Sequence, residues 1–261
     1  MHNSLNHATL KCNNKISLDF QGGALSSDTG LVLVNDFIHR IGLHDLIRDR
    51  FRITGKLFRR HSEASNLMQA VLQIIAAYFE DDRADGLRNE PVMTAMLGKE
   101  SLASQPTISR FFASMDDGTE RLFNGILMEL RERVYGLRRP SEVVLDLDST
   151  LLNVYGKQEG GAWNHHYQDN GYHPQLCYDG LTGDLIKVQL RDGAVYSSNG
   201  IAAFLEPVLE EFAAKYPDVK VTVRGDSGYA TPELYGLCEK YDAGYAIRLK
   251  ENNVLRWLAT P

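Results

Sequence analysis

The stretch VVLDLDST, Val143 to Thr150, is the starting point for predicting the fold of this 261-residue chain. Its apolar residues are almost continuous, which is typical of a strand buried in the centre of a sheet. Because side chains alternate along a strand, Asp146 and Asp148 are expected on the same face. Two acids inside such a strand are costly unless something pairs with them. The stretch therefore predicts a central strand whose end carries chemically useful carboxylates.

The elements that follow this strand predict the topology. Gln175–Tyr178 and Leu185–Leu190 alternate apolar and polar residues around the turn-forming residues 179–183, which predicts a hairpin. Beyond it, helices and strands alternate: a helix from Ile201 capped by Asn199, a strand at Val219–Val223, a helix opened by Thr231-Pro232, and a strand at Tyr245–Leu249. A doubly wound sheet would alternate from its first strand. The order strand, strand, strand, helix, strand, helix, strand instead predicts an α/β fold with a ribonuclease-H-like mixed sheet.

The first 140 residues favour helices, and strand-forming signals are sparse there. One helix is expected after Asp28 as its N-cap, and another after Ser62. Two more are expected around 91–97 and 117–135. The chain is therefore expected to divide into a helical region, 1–140, and an α/β region, 141–261.

Two parts of the helical region could meet DNA. The short helix after Ser104 is predicted to bury Ile108, Phe111 and Phe112, and it resembles a recognition helix of a helix-turn-helix. Its outward residues, the candidate DNA contacts, are Gln105, Thr107, Ser109 and Arg110. A basic cluster between residues 48 and 61, which includes Arg59 and Arg60, could follow phosphates. A capped surface helix and a solvated charged face explain the two patterns equally well.

Composition limits the other possibilities. The chain is 43% hydrophobic and 24% charged, which is ordinary for a globular protein, and its net charge of −6 by itself argues against a nucleic-acid partner. No apolar run approaches the roughly 20 residues that span a bilayer, so a cytoplasmic protein without membrane contact is expected. Cys12, Cys177 and Cys238 are far apart in sequence and are expected to be reduced structural thiols.

Asp148 and Asp226 are the candidate catalytic and metal-binding residues. In the predicted fold the strands that precede them are neighbours, so both carboxylates reach one edge of the sheet. Oxygen ligands of this kind suit Mg²⁺ or Mn²⁺, and two such ions about 4 Å apart can promote phosphodiester chemistry. An aspartate after a strand is also a common turn former, and Asp226 precedes Ser227-Gly228. The histidine-rich segment from Asn153 to His173 fits no standard zinc spacing and is expected to be a flexible loop that contacts substrate.

Several motifs together resemble the insertion-sequence transposases of the DDE class, in particular the group called thirteen-eighty. They are Ser104-Gln105-Pro106-Thr107-Ile108-Ser109-Arg110-Phe111, Asp81-Asp82-Arg83-Ala84-Asp85-Gly86-Leu87-Arg88, Leu145-Asp146-Leu147-Asp148-Ser149-Thr150, Gly171-Tyr172-His173-Pro174 and Arg224-Gly225-Asp226-Ser227-Gly228-Tyr229. The resemblance implies Asp148 as the first metal-binding acid and Asp226 as the second, with Asp146 in support.

The same resemblance implies the reaction and its partners. It implies metal-dependent strand cleavage and strand transfer with two Mg²⁺ or Mn²⁺ ions. It also implies that region 1–140 recognises double-stranded DNA at terminal inverted repeats and dimerises, and that region 141–261 is catalytic. Target DNA would be the second substrate. The protein would form a homodimer in the synaptic complex and associate with the nucleoid.

The chain departs from the family pattern at its end. The third acid of the family lies in a Tyr-x-x-Arg-x-x-x-Glu helix beyond an inserted β-rich region, and this chain stops at Thr260-Pro261. We therefore expect a transposase truncated before its third catalytic glutamate, which is absent from this chain. One alternative is a remnant or regulator that binds transposon ends without cutting. Another is a haloacid-dehalogenase-like phosphatase with Asp146 as nucleophile, although Ala230 stands where that class needs a further acid.

Overall fold

The structure is a computed structural model that describes residues 7–13, 17–19, 28–51, 60–80, 82–250 and 252–258. The chain forms two compact units, Met1–Ile126 and Leu127–Pro261. The boundary between them falls inside one long helix, whereas the sequence predicted the change from a helical to an α/β region at residue 140.

The first unit is mainly helical. It begins with an antiparallel ribbon of β1 (His7–Thr9) and β2 (Ser17–Asp19), which the sequence did not predict. Its helices are α1 (Leu31–Arg40), α2 (Leu43–Arg50), α3 (Glu63–Ile75), α4 (Arg83–Leu87), α5 (Pro91–Leu97), α6 (Gln105–Phe112) and the start of α7 (Asp117–Leu137). The helices expected at 91–97 and 117–135 are confirmed.

The helix caps of this unit were predicted with mixed success. Ser62 caps α3, since its hydroxyl accepts from the Ser65 N–H at 3.2 Å. Asp28 does not cap α1: Gly30 occupies the N-cap position, and the Asp28 carboxylate instead accepts from the Tyr78 hydroxyl at 3.3 Å. That cap prediction was wrong because the carboxylate bonds a hydroxyl 50 positions away in the sequence and not the N–H groups of the nearest helix end.

The second unit is built on a five-stranded mixed sheet. In chain order its elements after α7 are β3 (Glu142–Ser149), β4 (Leu152–Asn153), β5 (Ala162–Asn164), β6 (Asp169–Tyr172), β7 (Gln175–Asp179), β8 (Leu185–Gln189), α8 (Ile201–Lys215), β9 (Lys220–Gly225), α9 (Pro232–Lys240), β10 (Gly244–Ile247) and α10 (Asn253–Leu258). The sheet order is β10-β9-β3-β7-β8, with β3, β9 and β10 parallel and β7 antiparallel to both its neighbours. This is the ribonuclease-H-like topology that the element order predicted.

The face of the sheet that carries Val143, Leu145 and Leu147 packs in one hydrophobic core with α8. The apolar face predicted for α8 is confirmed, because Phe204, Leu205 and Leu209 are all buried there. The predicted cap is wrong: Gly200, with φ of 74°, stands at the N-cap instead of Asn199. A positive φ is costly for most side chains and free for glycine, so the chain begins the helix one residue later.

A second, three-stranded sheet lies between β3 and β7 in sequence, where a flexible loop was expected. Its order is β4-β6-β5, all antiparallel, so the prediction of a loop from Asn153 to His173 was wrong. The backbones pack very closely here: a Cβ placed on Gly171 would lie 2.5 Å from the carbonyl oxygen of Leu152. Strands of two to four residues are too short to show a period-two pattern, so they could not be predicted from the sequence.

Neither unit contains a helix within the described residues that is both long enough and apolar enough to cross a bilayer.

The cysteines provide a test of this packing. Cys177 and Cys238 are fully buried, and burial raises their thiol pKa to about 12 and to about 11. Cys12 is partly exposed, although partial burial raises its thiol pKa as well. Because thiolate is the reactive form, Ellman's reagent at about pH 8 should modify Cys12 readily and the other two at least about a hundredfold more slowly. Absorbance at timed intervals, with and without urea, measures this; three equally fast thiols in the native protein would contradict it.

Candidate active site

Asp148 and Asp226 meet at one edge of the five-stranded sheet. The parallel register pairs Asp146 with Arg224 and Leu147 with Gly225, so the next residues, Asp148 and Asp226, follow side by side on β3 and immediately after β9. Both acids line a single cavity of about 470 Å³. The structure thus brings together the two residues that the sequence singled out, although they are 78 positions apart (226 − 148).

One oxygen of each carboxylate is fixed by the backbone. Asp148 Oδ1 accepts from the Ser149 N–H at 2.8 Å, and Asp226 Oδ1 accepts from the Gly228 N–H at 2.8 Å, which caps a short 3₁₀ turn at Ser227–Tyr229. The turn-forming role considered for Asp226 therefore describes one of its oxygens. Within the described residues the second oxygen of each acid accepts no hydrogen bond. Two oriented carboxylates with oxygens to spare are the donor set that a hard divalent cation requires.

Asp146 occupies a different environment from Asp148. Its carboxylate accepts from Arg224 Nε at 2.9 Å, and a second oxygen meets Arg224 Nη2, which makes a bidentate pair across β3 and β9. Gly180 lies against this pair, because a Cβ there would approach Arg224 Nη2 to 2.8 Å. Asp146 does not line the cavity, so the structure does not bring this candidate metal ligand to the other two acids.

The same pairing argues against the phosphatase alternative. That class would need Asp146 as an accessible nucleophile, whereas here it is bound to Arg224. In addition, β7 runs antiparallel to β3, so the sheet does not have the all-parallel strands of a doubly wound fold.

Two groups of residues line the cavity with the two acids. From the segment expected to contact substrate come Asn164, His165, His166, Tyr167 and His173. The sequence did not propose the others, which are Ser149, the segment 194–197, Ser227, Gly228, Tyr229 and Lys250. Lys250 could have been anticipated: it follows β10, which runs parallel to β9, so it belongs at the same edge of the sheet as the acids. For the 153–173 segment the sequence predicted substrate contact but not the short strands that place its side chains around the acids.

Tyr167 is an aromatic side chain that lines the cavity with the two acids. Its hydroxyl donates to the Ser149 carbonyl at 3.0 Å, and its ring packs edge-on against His173. Burial, and then the nearby charges of Asp148 and Asp226, raise the pKa of the Tyr167 hydroxyl. The hydroxyl therefore stays protonated at neutral pH and keeps its donor role.

The predicted DNA-contacting helix of the first unit, α6, differs from its prediction on both its apolar and its polar face. In α6, Ile108 and Phe111 are buried as predicted, but Phe112 is 43% exposed. The backbone N–H of Gln105 donates to Asp85, and the Thr107 hydroxyl lies 3.1 Å from that of Ser104.

Of the four candidate contacts on α6, Arg110 is exposed, while Gln105, Thr107 and Ser109 are partly shielded. Arg60 pairs with Glu100 at 3.5 Å. Arg59 lies outside the described residues.

Comparison with solved structures finds transposases at low similarity. The catalytic domain of Mos1 mariner transposase is 11% identical with a TM-score of 0.30, and the match covers 54% of this chain and 64% of that chain. A Mos1 paired-end complex with the left transposon end is 13% identical, with a TM-score of 0.28 and coverage of 74% and 60%. A piggyBac synaptic complex with hairpin DNA is 12% identical, with a TM-score of 0.35 and coverage of 89% and 45%.

The chain therefore spans between 45% and 64% of the lengths of these three proteins. No curated protein matches it.

The family comparison covers nearly all of the chain. The model of the family described as transposase DDE domain group 1 matches residues 8–261, which include Asp148, Asp226 and every cavity-lining residue. The finer assignment to the group called thirteen-eighty stays a prediction. With a match of this extent, the chain belongs to the transposase DDE domain group 1 family.

Proposed function

We propose that this protein is a DNA transposase, in which Asp148 and Asp226 take part in cleaving the ends of an insertion sequence and in joining them to target DNA. One observation carries the proposal: the two acids follow neighbouring parallel strands and line one cavity. Family membership supports the reaction class. The second unit, 127–261, contains the catalytic region 141–261 expected from the sequence and would perform the chemistry.

The residues present fit divalent cations. Each of the two acids has one oxygen oriented by a backbone N–H and one without a partner in the described part of the chain. We propose two ions, Mg²⁺ or Mn²⁺, held by Asp148 and Asp226; Asp146 contributes through its pair with Arg224 instead of as a ligand. When bound, such ions activate a water or 3′-hydroxyl and stabilise the leaving oxygen of a phosphodiester.

The remaining side chains of the cavity would receive the DNA end. Lys250 is exposed and lines the cavity, so its ammonium group offers a positive charge to a phosphate oxygen close to the acids. His165 and His166 are exposed at the same cavity and supply further polar contacts. Tyr167, held against Ser149, forms a fixed wall beside Asp148.

The first unit would recognise double-stranded DNA at the terminal inverted repeats. We propose base or phosphate contacts by Gln105, Thr107, Ser109 and Arg110 of α6, of which the exposed Arg110 is the most accessible. Arg59 and Arg60 are proposed for phosphate contacts. A homodimer would hold the two ends in the synaptic complex with target DNA, and the protein would act at the nucleoid.

A second candidate function is binding of the ends without cleavage. It is favoured by the composition of the cavity: among the described residues that line it, the acids are Asp148 and Asp226, and a third carboxylate is not present. In the same part of the chain no group of three or more His, Cys, Asp or Glu side chains could hold a metal ion.

The experiment uses the full chain with duplexes that carry the two sequences flanking its own gene. Gel shift and strand nicking are measured with Mn²⁺, and a scrambled duplex of equal length and composition is the control. The transposase proposal expects binding of the end duplex at least about a thousandfold tighter than the scrambled one, and nicks at its terminus. Selective binding without nicks establishes the second candidate; equal affinity for both duplexes overturns both.

A further inference from the structure

The segment 192–199 forms one wall of the cavity. Its residues 194–197 line the cavity with both acids. Ser197 connects to both sides: its hydroxyl lies 3.0 Å from that of Ser149, and a Cβ on Gly228 would lie 3.4 Å from the Ser197 Cβ. Ser149 follows Asp148, and the Gly228 N–H binds Asp226. The position of this segment therefore sets what surrounds the two carboxylates.

Arg191 holds the segment by its backbone. Its Nε donates to the His173 carbonyl at 3.0 Å. Its Nη1 lies 3.4, 3.3 and 3.1 Å from the carbonyl oxygens of Tyr196, Ser197 and Asn199. One guanidinium thus bonds four carbonyl oxygens and holds residues 196–199 close to residue 191, immediately before the segment begins.

Further bonds hold the segment at other points. Asn164 Nδ2, which is buried, donates to the Gly193 carbonyl at 2.7 Å. His173 Nδ1 lies 2.6 Å from the Val195 carbonyl. Because a carbonyl can only accept, His173 carries a proton on Nδ1. These contacts act on residues 193 and 195, whereas Arg191 bonds three carbonyls between Tyr196 and Asn199, in addition to the Ser149–Ser197 contact and the bond from the Asn199 N–H to the Tyr196 carbonyl.

The chemistry of Arg191 is unusual for a charged group in such a place. It is half-buried, and burial lowers its pKa, yet none of the described acids forms an ion pair with it. Among the described residues, all of its acceptors are backbone carbonyls. A planar fork of donors can serve several carbonyls at once, which an ammonium group or an apolar side chain cannot do with the same geometry.

We propose that Arg191 is a positioning residue that holds the 192–199 segment as a preformed wall beside Asp148 and Asp226. The inference rests on the proposed function in one respect: the wall matters to DNA because the cavity is where the DNA end is cut. Arg191 itself does not line the cavity, so it acts through Tyr196 and Ser197.

The test compares Arg191→Lys, which keeps the charge, with Arg191→Met, which keeps most of the volume. Amide hydrogen exchange of peptides covering 194–199, followed by mass spectrometry, should accelerate at least about tenfold in both variants. Methylguanidinium added to Arg191→Ala should slow the exchange again. Nicking of the end duplex should fall at least about tenfold, while the affinity for that duplex changes less than about threefold.

Arg139→Met is the matched control, because Arg139 also donates to a carbonyl, that of Lys215, and pairs with Asp218 at a distance from the cavity-lining residues. It should leave exchange at 194–199 unchanged. The proposal is overturned if Arg191→Lys protects these amides as well as the native arginine, or if Arg191→Met does, since the side chain would then act by charge or by volume alone. Accelerated exchange in a protein that never nicks DNA would overturn the proposed function and leave the positioning role intact.

Discussion

Asparagine in place of Asp148 or Asp226 is expected to reduce Mn²⁺-dependent nicking of the end duplex at least about a thousandfold, equivalent to about 4 kcal/mol of transition-state stabilisation. Each substitution replaces a charged oxygen pair with a neutral amide that offers a single oxygen to a cation. Affinity for Mn²⁺, measured by electron paramagnetic resonance of the free ion, should fall at least about tenfold in each variant. The affinity measurement applies even if the chain binds ends without cutting them.

The substitutions should leave the fold intact. The backbone bonds to Oδ1 of the two acids can still form, because the asparagine oxygen accepts as the carboxylate did. Asp184→Asn is the matched control, since Asp184 is an exposed acid in the turn between β7 and β8 and does not line the cavity. If Asp148→Asn binds Mn²⁺ as tightly as the Asp184→Asn control, the two-carboxylate site is wrong.

The central part of the fold could be predicted because its signals are long or chemically costly. β3 is an eight-residue strand whose apolar run is interrupted by Asp146 and Asp148, and α8 keeps its helical periodicity over fifteen residues. Because the order of these elements allows few topologies, the neighbouring positions of β3 and β9 followed, and with them the approach of Asp148 to Asp226.

The rest of the site could not be predicted because it depends on contacts between residues that are distant in sequence. Arg191 carries no local signal, since its partners are carbonyl groups that every residue has. Asp146 looked equivalent to Asp148 by alternation, and only the register with Arg224 separates their roles. The predictions of Asp28 and Asn199 as helix caps were wrong for a similar reason. The Asp28 carboxylate bonds the distant Tyr78 hydroxyl, and a glycine takes the N-cap position of each helix.

Close backbone packing is the other feature that could not be predicted from the sequence, and Gly193 is the clearest example. A Cβ on Gly193 would lie 2.0 Å from the Gly171 carbonyl oxygen and 2.5 Å from that of Ala162. These are backbone atoms of β6 and β5, so no side chain can rotate away to relieve the overlap. The position shows no positive φ, so the space alone excludes a side chain. Gly193→Ala should therefore lower the free energy of unfolding by about 3 kcal/mol, at the upper end of overpacking effects.

Urea unfolding of the full chain measures this, and two glycine variants separate the causes. Gly236→Ala lies in α9 with no atom within 4 Å of its new Cβ, so helix propensity should stabilise it by up to about 1 kcal/mol. Gly183→Ala has equal space but a φ of 81°, so backbone strain should cost about 1 kcal/mol. Gly193→Ala should be the most destabilised of the three and should also lose nicking, since the 192–199 segment would be pushed away from β5 and β6. A Gly193→Ala protein that unfolds at the native urea midpoint would mean that the backbone of the 192–199 segment does not pack against β5 and β6. The wall beside Asp148 and Asp226 would then be held by other contacts.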